Sequence, residues 1–238
     1  MRDPHIDDVL KRAAGASAEV DPQLLGRIAN YLGASLQPVR PVSSLGAFVA
    51  ALVAVCVATA YVSAAILGLH GIYALGAFRI AAIFPILVAL IFLAALVYAD
   101  EMIPGSRHHV APSALLATGC VVFAVVVALV FSDYRTESFV SRGVPCLRAG
   151  MAIALPTGVI LWWILRRGFA VNPISAAVAG GTLAGLAGLG MLELHCASLE
   201  APHIMVWHTS VMALSGLVGG FLASVGRSLL RNRGLPRR

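Results

Sequence analysis

Apolar residues run almost unbroken through six stretches of this chain, roughly Leu45–Leu69, Ile80–Ala99, Ser113–Ser132, Leu147–Leu165, Ile174–Leu194 and Ile204–Gly226. Polar and turn-forming residues are confined between these stretches and to the two ends. A hydrocarbon core about 30 Å thick needs about 20 apolar residues as a helix. In lipid every backbone N–H and C=O must be satisfied within the segment, which an open sheet edge cannot do. The pattern therefore predicts an all-α polytopic membrane protein: six transmembrane helices preceded by a short helical N-terminal segment on the cytoplasmic side.

That segment has its own pattern. His5–Ala14 reads as a short helix. A second helix is better marked, with Asp21 as N-cap and Pro22 at the first helical position, running to Tyr31 or Leu32 and stopping near Gly33. Leu24, Leu25, Ile28 and Leu32 fall on one face at helical spacing. So short a helix has no core in which to bury that face, so it lies on the membrane surface or docks on a partner. Gln37-Pro38-Val39-Arg40-Pro41 reads as a stiff extended linker into the first span. The domain organisation expected is a segment and linker over 1–44, a transmembrane domain over 45–226 and a basic tail over 227–238.

Composition and charge narrow the class. The chain is 59% hydrophobic and 12% charged, where a soluble domain carries about 25% charged residues. A large soluble domain has no room. The pI near 9.6 reflects basic residues flanking apolar spans, and no direct nucleic-acid contact is expected. Arg2, Lys11, Arg12, Arg27, Arg40, Arg107, Arg166, Arg167, Arg227, Arg231, Arg233, Arg237 and Arg238 make thirteen on one side; Arg79, Arg135, Arg142 and Arg148 make four on the other. Basic residues favour the cytoplasmic side, which predicts both termini in the cytoplasm and loops one, three and five outside. The first 44 residues are polar, with no apolar core ahead of a small-residue cleavage site, so no secretory signal is expected there.

Chemistry has few places to reside. Cys146 precedes the middle of the turn at Arg166–Pro173 by about 23 residues, and Cys196 follows it by about 27. At 1.5 Å per residue their depths differ by about 5 Å, which puts both at the outer end of one helical hairpin. The pair can be a constitutive disulfide, a redox-sensitive thiol pair or part of a heavy-metal site. His195, His203 and His208 surround the same end and, with the cysteines, offer enough nitrogen and sulfur for a soft-metal site, Cys146, Cys196, His195 and His203 being the candidate ligands. Trp207 and His208 together resemble interfacial anchors. Cys56 and Cys120 lie deep in spans and read as packing residues. Gly181-x-x-x-Gly185 and Gly216-x-x-x-Gly220 read as close helix contacts inside the bundle rather than a dimer face. His108-His109 reads as solvated loop, and Glu193 as a side chain snorkelling to the interface. The span centres carry almost no ionisable residues, which counts against a transporter or pump. No phosphate-binding glycine loop, nucleophile elbow or carboxylate pair is visible, and no cofactor is expected.

Particular residues carry a family resemblance. Cys146-Leu147-Arg148 opens span four and Pro156 lies within it. Arg166-Arg167-Gly168 forms the next turn, span five is Gly/Ala-rich, Leu194-His195-Cys196 ends it, and Trp207 opens span six. With the Pro38-Val39-Arg40-Pro41 linker and the six-span layout, the sequence resembles the NrsF family of bacterial integral-membrane anti-sigma factors (negative regulator of sigma F). After Cys196 it has Ala197-Ser198-Leu199-Glu200 where that family usually has Pro and acidic residues. The resemblance implies a multi-pass protein of the bacterial inner membrane that is not an enzyme. It would capture an alternative sigma factor through its N-terminal segment, with Leu24, Leu25, Ile28 and Leu32 as the apolar contacts. Release would follow an external redox or heavy-metal signal near Cys146 and Cys196. The rivals are a membrane thiol oxidoreductase, which would need a second thiol pair or a cofactor to pass electrons on, and a small-solute transporter.

Overall fold

The computed structural model describes residues 22–35, 44–102, 110–165 and 172–232, together with Asp8. The expected helix at His5–Ala14, the Pro38–Pro41 linker, His108-His109 and the Arg166-Arg167-Gly168 turn lie outside the described residues. The chain divides into two compact units, Met1–Val42 and Ser43–Arg238.

In the first unit, helix α1 covers Pro22–Ser35. It runs through Gly33 rather than stopping there. Leu25, Ile28 and Tyr31 are exposed, leaving this helix with uncovered apolar side chains.

The second unit is an all-helical bundle. Its helices are α2 (Leu45–Leu67), α3 (His70–Ala74), α4 (Ala77–Asp100), α5 (Pro112–Val130), α6 (Phe139–Leu165), α7 (Pro173–His195), α8 (Ala201–His203) and α9 (Thr209–Asn232), with a π-helical turn, Ile204–His208, between the last two. Among the described residues, six helical segments are long and apolar enough to cross a membrane, the sixth being Ala201–Leu229. Span four starts earlier than its apolar run. α6 begins at Phe139 and carries Ser141, Arg142 and Pro145 ahead of Cys146, so Cys146 sits two turns inside the helix rather than at its start.

Helix α7 is the axis of the bundle. Of its apolar window 72% is buried, against 22–39% for the other spans. Its small residues explain this. A Cβ on Gly185 would stand 2.6 Å from the Met212 Cα, and one on Gly188 2.5 Å from the Gly150 carbonyl oxygen. Bare backbone at these points lets α9 and α6 approach closely. Gly216 faces Thr182, and Gly220 faces Val178. Both small-residue motifs are thus used inside the bundle. Large apolar side chains such as Ile66, Phe92, Leu129, Trp162 and Phe221 point outward, the arrangement that lipid as solvent favours.

The spans alternate in direction, so the start of α2 and the end of α9 share one end of the bundle. There Arg227 donates to the Oδ1 of Asn172, the N-cap of α7, at 3.4 Å. The opposite end gathers the end of α2, α3, the start of α6, the end of α7 and α8. It is knit by backbone: a Cβ on Gly71 would come within 2.7 Å of the Glu193 carbonyl oxygen and 2.8 Å of that of Cys196. The Arg79 guanidinium lies 4.9 Å from the Phe131 ring centroid, joining the start of α4 to the residue that ends α5.

Candidate functional site

The sequence between α7 and the π turn folds back over the bundle end. Cys196 caps α7, its N–H donating to the Leu192 carbonyl at 2.7 Å. The Ala201 N–H donates to the Asp133 carbonyl at 2.7 Å, and Arg142 donates to the Glu200 carboxylate at 3.2 Å. Asp133 is also gripped by Arg135, which holds its carboxyl down at about 2. These ties bring the Cys196–His203 stretch against the first turns of α6.

There the two cysteines meet. The Cys146 and Cys196 Sγ atoms are 3.6 Å apart, unbonded and half-buried. The neighbouring Cys146 thiol, and then burial, raise Cys196 above the ordinary thiol range. His203 is fully buried with its Nε2 3.6 Å from the Cys196 sulfur. His208 completes the group: one ligand atom from each of Cys146, Cys196, His203 and His208 lies within 4.8 Å of every other.

The π turn explains how two histidines five positions apart cooperate. At 100° per residue an α-helix would set them about 140° apart around its axis. A turn with i→i+5 bonding returns them to one face. Their rings stand edge to face, 5.3 Å between centroids. Behind His208 lies Glu193 of α7. His208 Nδ1 donates to the Glu193 carboxylate at 2.6 Å, with both side chains at most 2% exposed. Among the described residues, the other ring nitrogen of His208, Nε2, has no hydrogen-bond partner, nor does Nδ1 of His203.

The structure redistributes the expected ligands. Cys146, Cys196 and His203 are brought together, and His195 is not with them. His195 donates from Nδ1 to the Gly68 carbonyl at 2.8 Å and leans on His70, 5.9 Å between ring centroids. It fastens the end of α2 to the end of α7. His208 takes the fourth place. It is 1% exposed and no interfacial anchor, and Glu193, 3% exposed, does not snorkel. Trp207 packs on Phe139 instead, 5.4 Å between ring centroids. Cys56 is buried in the core, its thiol donating to the Leu183 carbonyl at 3.8 Å. An open cavity of about 470 Å³ reaches the thiol pair, walled by Arg142, Pro145, Ser198 and His203 among others.

Six helices long and apolar enough to span a membrane, with a thiol–imidazole cluster at the bundle end opposite the start of α2, define a polytopic membrane protein. The chain belongs to the NrsF family, negative regulator of sigma F, whose sequence model matches residues 32–231. It is therefore an anti-sigma factor, and its partner is a sigma factor. No curated protein and no solved structure matches it.

Proposed function

We propose that this chain holds an alternative sigma factor at the bacterial inner membrane through residues 1–44, on the cytoplasmic side, and releases it when an oxidant or heavy metal reaches Cys146 and Cys196 outside. The observation that carries this reading is the 3.6 Å thiol contact at the end of the bundle opposite the start of α2. On this reading a signal at the thiols acts across the bilayer from the start of α2, into which the proposed sigma-binding segment leads. The thirteen-to-four distribution of Lys and Arg supports cytoplasmic termini, and the exposed Leu25 and Ile28 of α1 supply apolar anchors for a partner. Leu24 and Leu32, whose side chains lie outside those described, complete the proposed contact set.

Captured in this way, the sigma factor cannot reach core polymerase. Release requires the sensor chemistry to favour one arrangement of the bundle over another, by no more than its differential affinity for the two. The coupling runs from α6 and α7 through the α2 contacts to the linker at Pro38–Pro41. The test is reconstitution of the full chain in vesicles with its sigma factor and membrane-impermeant oxidant on the thiol side. Loss of sigma binding on oxidation, restored by reductant, is the expected result. Undiminished binding over full thiol oxidation would sink the sensing step.

A further inference from the structure

We propose that Cys146, Cys196, His203 and His208 form a four-coordinate site for a zinc-class divalent ion, oriented from behind by Glu193, and that this ion and a disulfide are mutually exclusive occupants of the two sulfurs. The proposal rests on the same thiol pair as the sensor reading and names its ligand.

Geometry comes first. Zinc–sulfur bonds of about 2.3 Å and zinc–nitrogen bonds of about 2.0–2.1 Å in a tetrahedron set ligand atoms about 3.3–3.8 Å from one another. The sulfur–sulfur and Cys196–His203 separations are both 3.6 Å, already tetrahedral edges. All four ligand atoms lie within 4.8 Å, so a contraction of about 1 Å at the longest edge completes the shell.

The histidines point to a ligand independently of the cysteines. His208 is 1% exposed and has one ring nitrogen fixed on Glu193 and the other without a hydrogen-bond partner among the described residues. Burying an imidazole nitrogen without a partner is costly. A carboxylate that takes the far nitrogen of a histidine is the usual support for a metal-binding imidazole, because it sets the tautomer and the ring orientation. Here that support comes from α7, the most buried helix of the bundle.

Charge selects the ion class. Two thiolates and two neutral imidazoles cancel a dipositive ion. A monovalent ion leaves net negative charge in a half-buried site beside the Glu193 carboxylate, where it is poorly solvated. The cavity at Arg142 and Ser198 gives the ion its path.

The exclusion follows from electron counting. A bound metal uses one lone pair from each thiolate. When hydrogen peroxide oxidises the pair, the two thiolates give up two electrons, an S–S bond forms, the O–O bond breaks, and two protons complete two waters. The sulfurs close from 3.6 Å to about 2.05 Å, and the ion keeps only two imidazoles.

The experiment uses the full-length chain, reduced, in detergent micelles, with Co²⁺ as the probe. One equivalent should bind with intense tetrahedral d–d bands and thiolate charge-transfer absorption, and Zn²⁺ should displace it. Glu193→Gln should weaken binding about 10–100-fold with the band shape kept. His203→Ala and His208→Ala should alter the bands, and His195→Ala should change neither affinity nor spectrum. Peroxide should release the ion in step with the loss of two thiols. A weak octahedral spectrum in the unmodified chain would overturn the site whether or not any variant folds. So would a His208→Ala spectrum identical to that of the unmodified protein. Sigma binding on the same samples keeps the two readings apart. Tetrahedral cobalt with no effect of metal or oxidant on sigma affinity overturns the sensor and upholds the site. Oxidant-driven release without tetrahedral cobalt does the reverse.

Discussion

His208 and Glu193 face each other across the α7 and π-turn contact at 2.6 Å, both sealed from solvent. A carboxylate in a membrane span is expensive unless it is paired, and here the pair is complete on one side only, since the second ring nitrogen of His208 is left to the thiols. Glu193→Ala should therefore destabilise the protein by about 1.5–3 kcal/mol, the range for a hydrogen bond to a charged group. Glu193→Gln, which keeps an acceptor, should cost less. Thermal unfolding in one detergent checks the order, and equal melting temperatures for Ala and the unmodified chain would remove Glu193 from any structural role.

Glycines of the spans should be unequal in tolerance. Gly185→Ala drives a methyl to within 2.6 Å of the Met212 backbone, whereas the same change at Gly46 meets nothing within 4 Å. The first should cost about 1–3 kcal/mol by overpacking. The second should be neutral or slightly stabilising, since alanine is the better helix former. Identical unfolding curves for the two variants would contradict the close packing of α7 on α9.

How far the sequence foretells all this differs from feature to feature. The spans were legible because lipid demands an unbroken apolar run, and no polar residue can be hidden in one cheaply. Helix starts were less so. Ser141, Arg142 and Pro145 read as loop, yet α6 continues through them beyond its apolar run, where a helix can carry polar side chains. The cysteine pair could be inferred from helix rise alone, because depth along an antiparallel hairpin is a matter of counting. His208 could not be assigned in that way. Its five-residue offset from His203 fits no α-helical face, and the π turn that rescues it leaves no periodic trace. The usable signal was Glu193: a carboxylate within a span must find a partner, and a nearby histidine in the next span is the natural one. His195 misled by adjacency to Cys196, since at a helix end the next residue points elsewhere.

Topology is open to a direct check. Reporters fused after Arg40 and after Arg231 should report cytoplasm, and one inserted between Asp133 and Arg142 should report the outside. The motive is the thirteen-to-four basic asymmetry. Reversed signs at these sites would move the thiol cluster to the cytoplasm and end the idea of an external signal.

Partner capture should depend on the exposed face of α1. Leu25 is 52% and Ile28 46% exposed, and burial of such a side chain contributes roughly 1.5–3 kcal/mol. Ile28→Asp loses that and strands a carboxylate in the contact. Affinity of the full chain for its sigma factor should fall about tenfold for each 1.4 kcal/mol lost. Normal binding by this variant would place the contact surface elsewhere.

Cys146 and Cys196 should behave as one unit. Their sulfurs touch at 3.6 Å, and whether the pair closes into a disulfide or holds a metal, removing one sulfur already abolishes the function of both. Cys146→Ser and Cys196→Ser should thus share a phenotype, and the double variant should be no worse than either, the strongest form of non-additivity between residues in contact. All three should still bind sigma factor, because the proposed contact lies across the bilayer, and all three should lose the response to oxidant or heavy metal. A membrane-impermeant thiol reagent should modify both cysteines in the reduced protein through the open cavity. It should modify neither once they are bonded, and should leave the core residue Cys56 unlabelled throughout. Additive, independent effects of the two serine changes would mean that the sulfurs act separately despite their contact, and a shared sensor built on them would have to be abandoned.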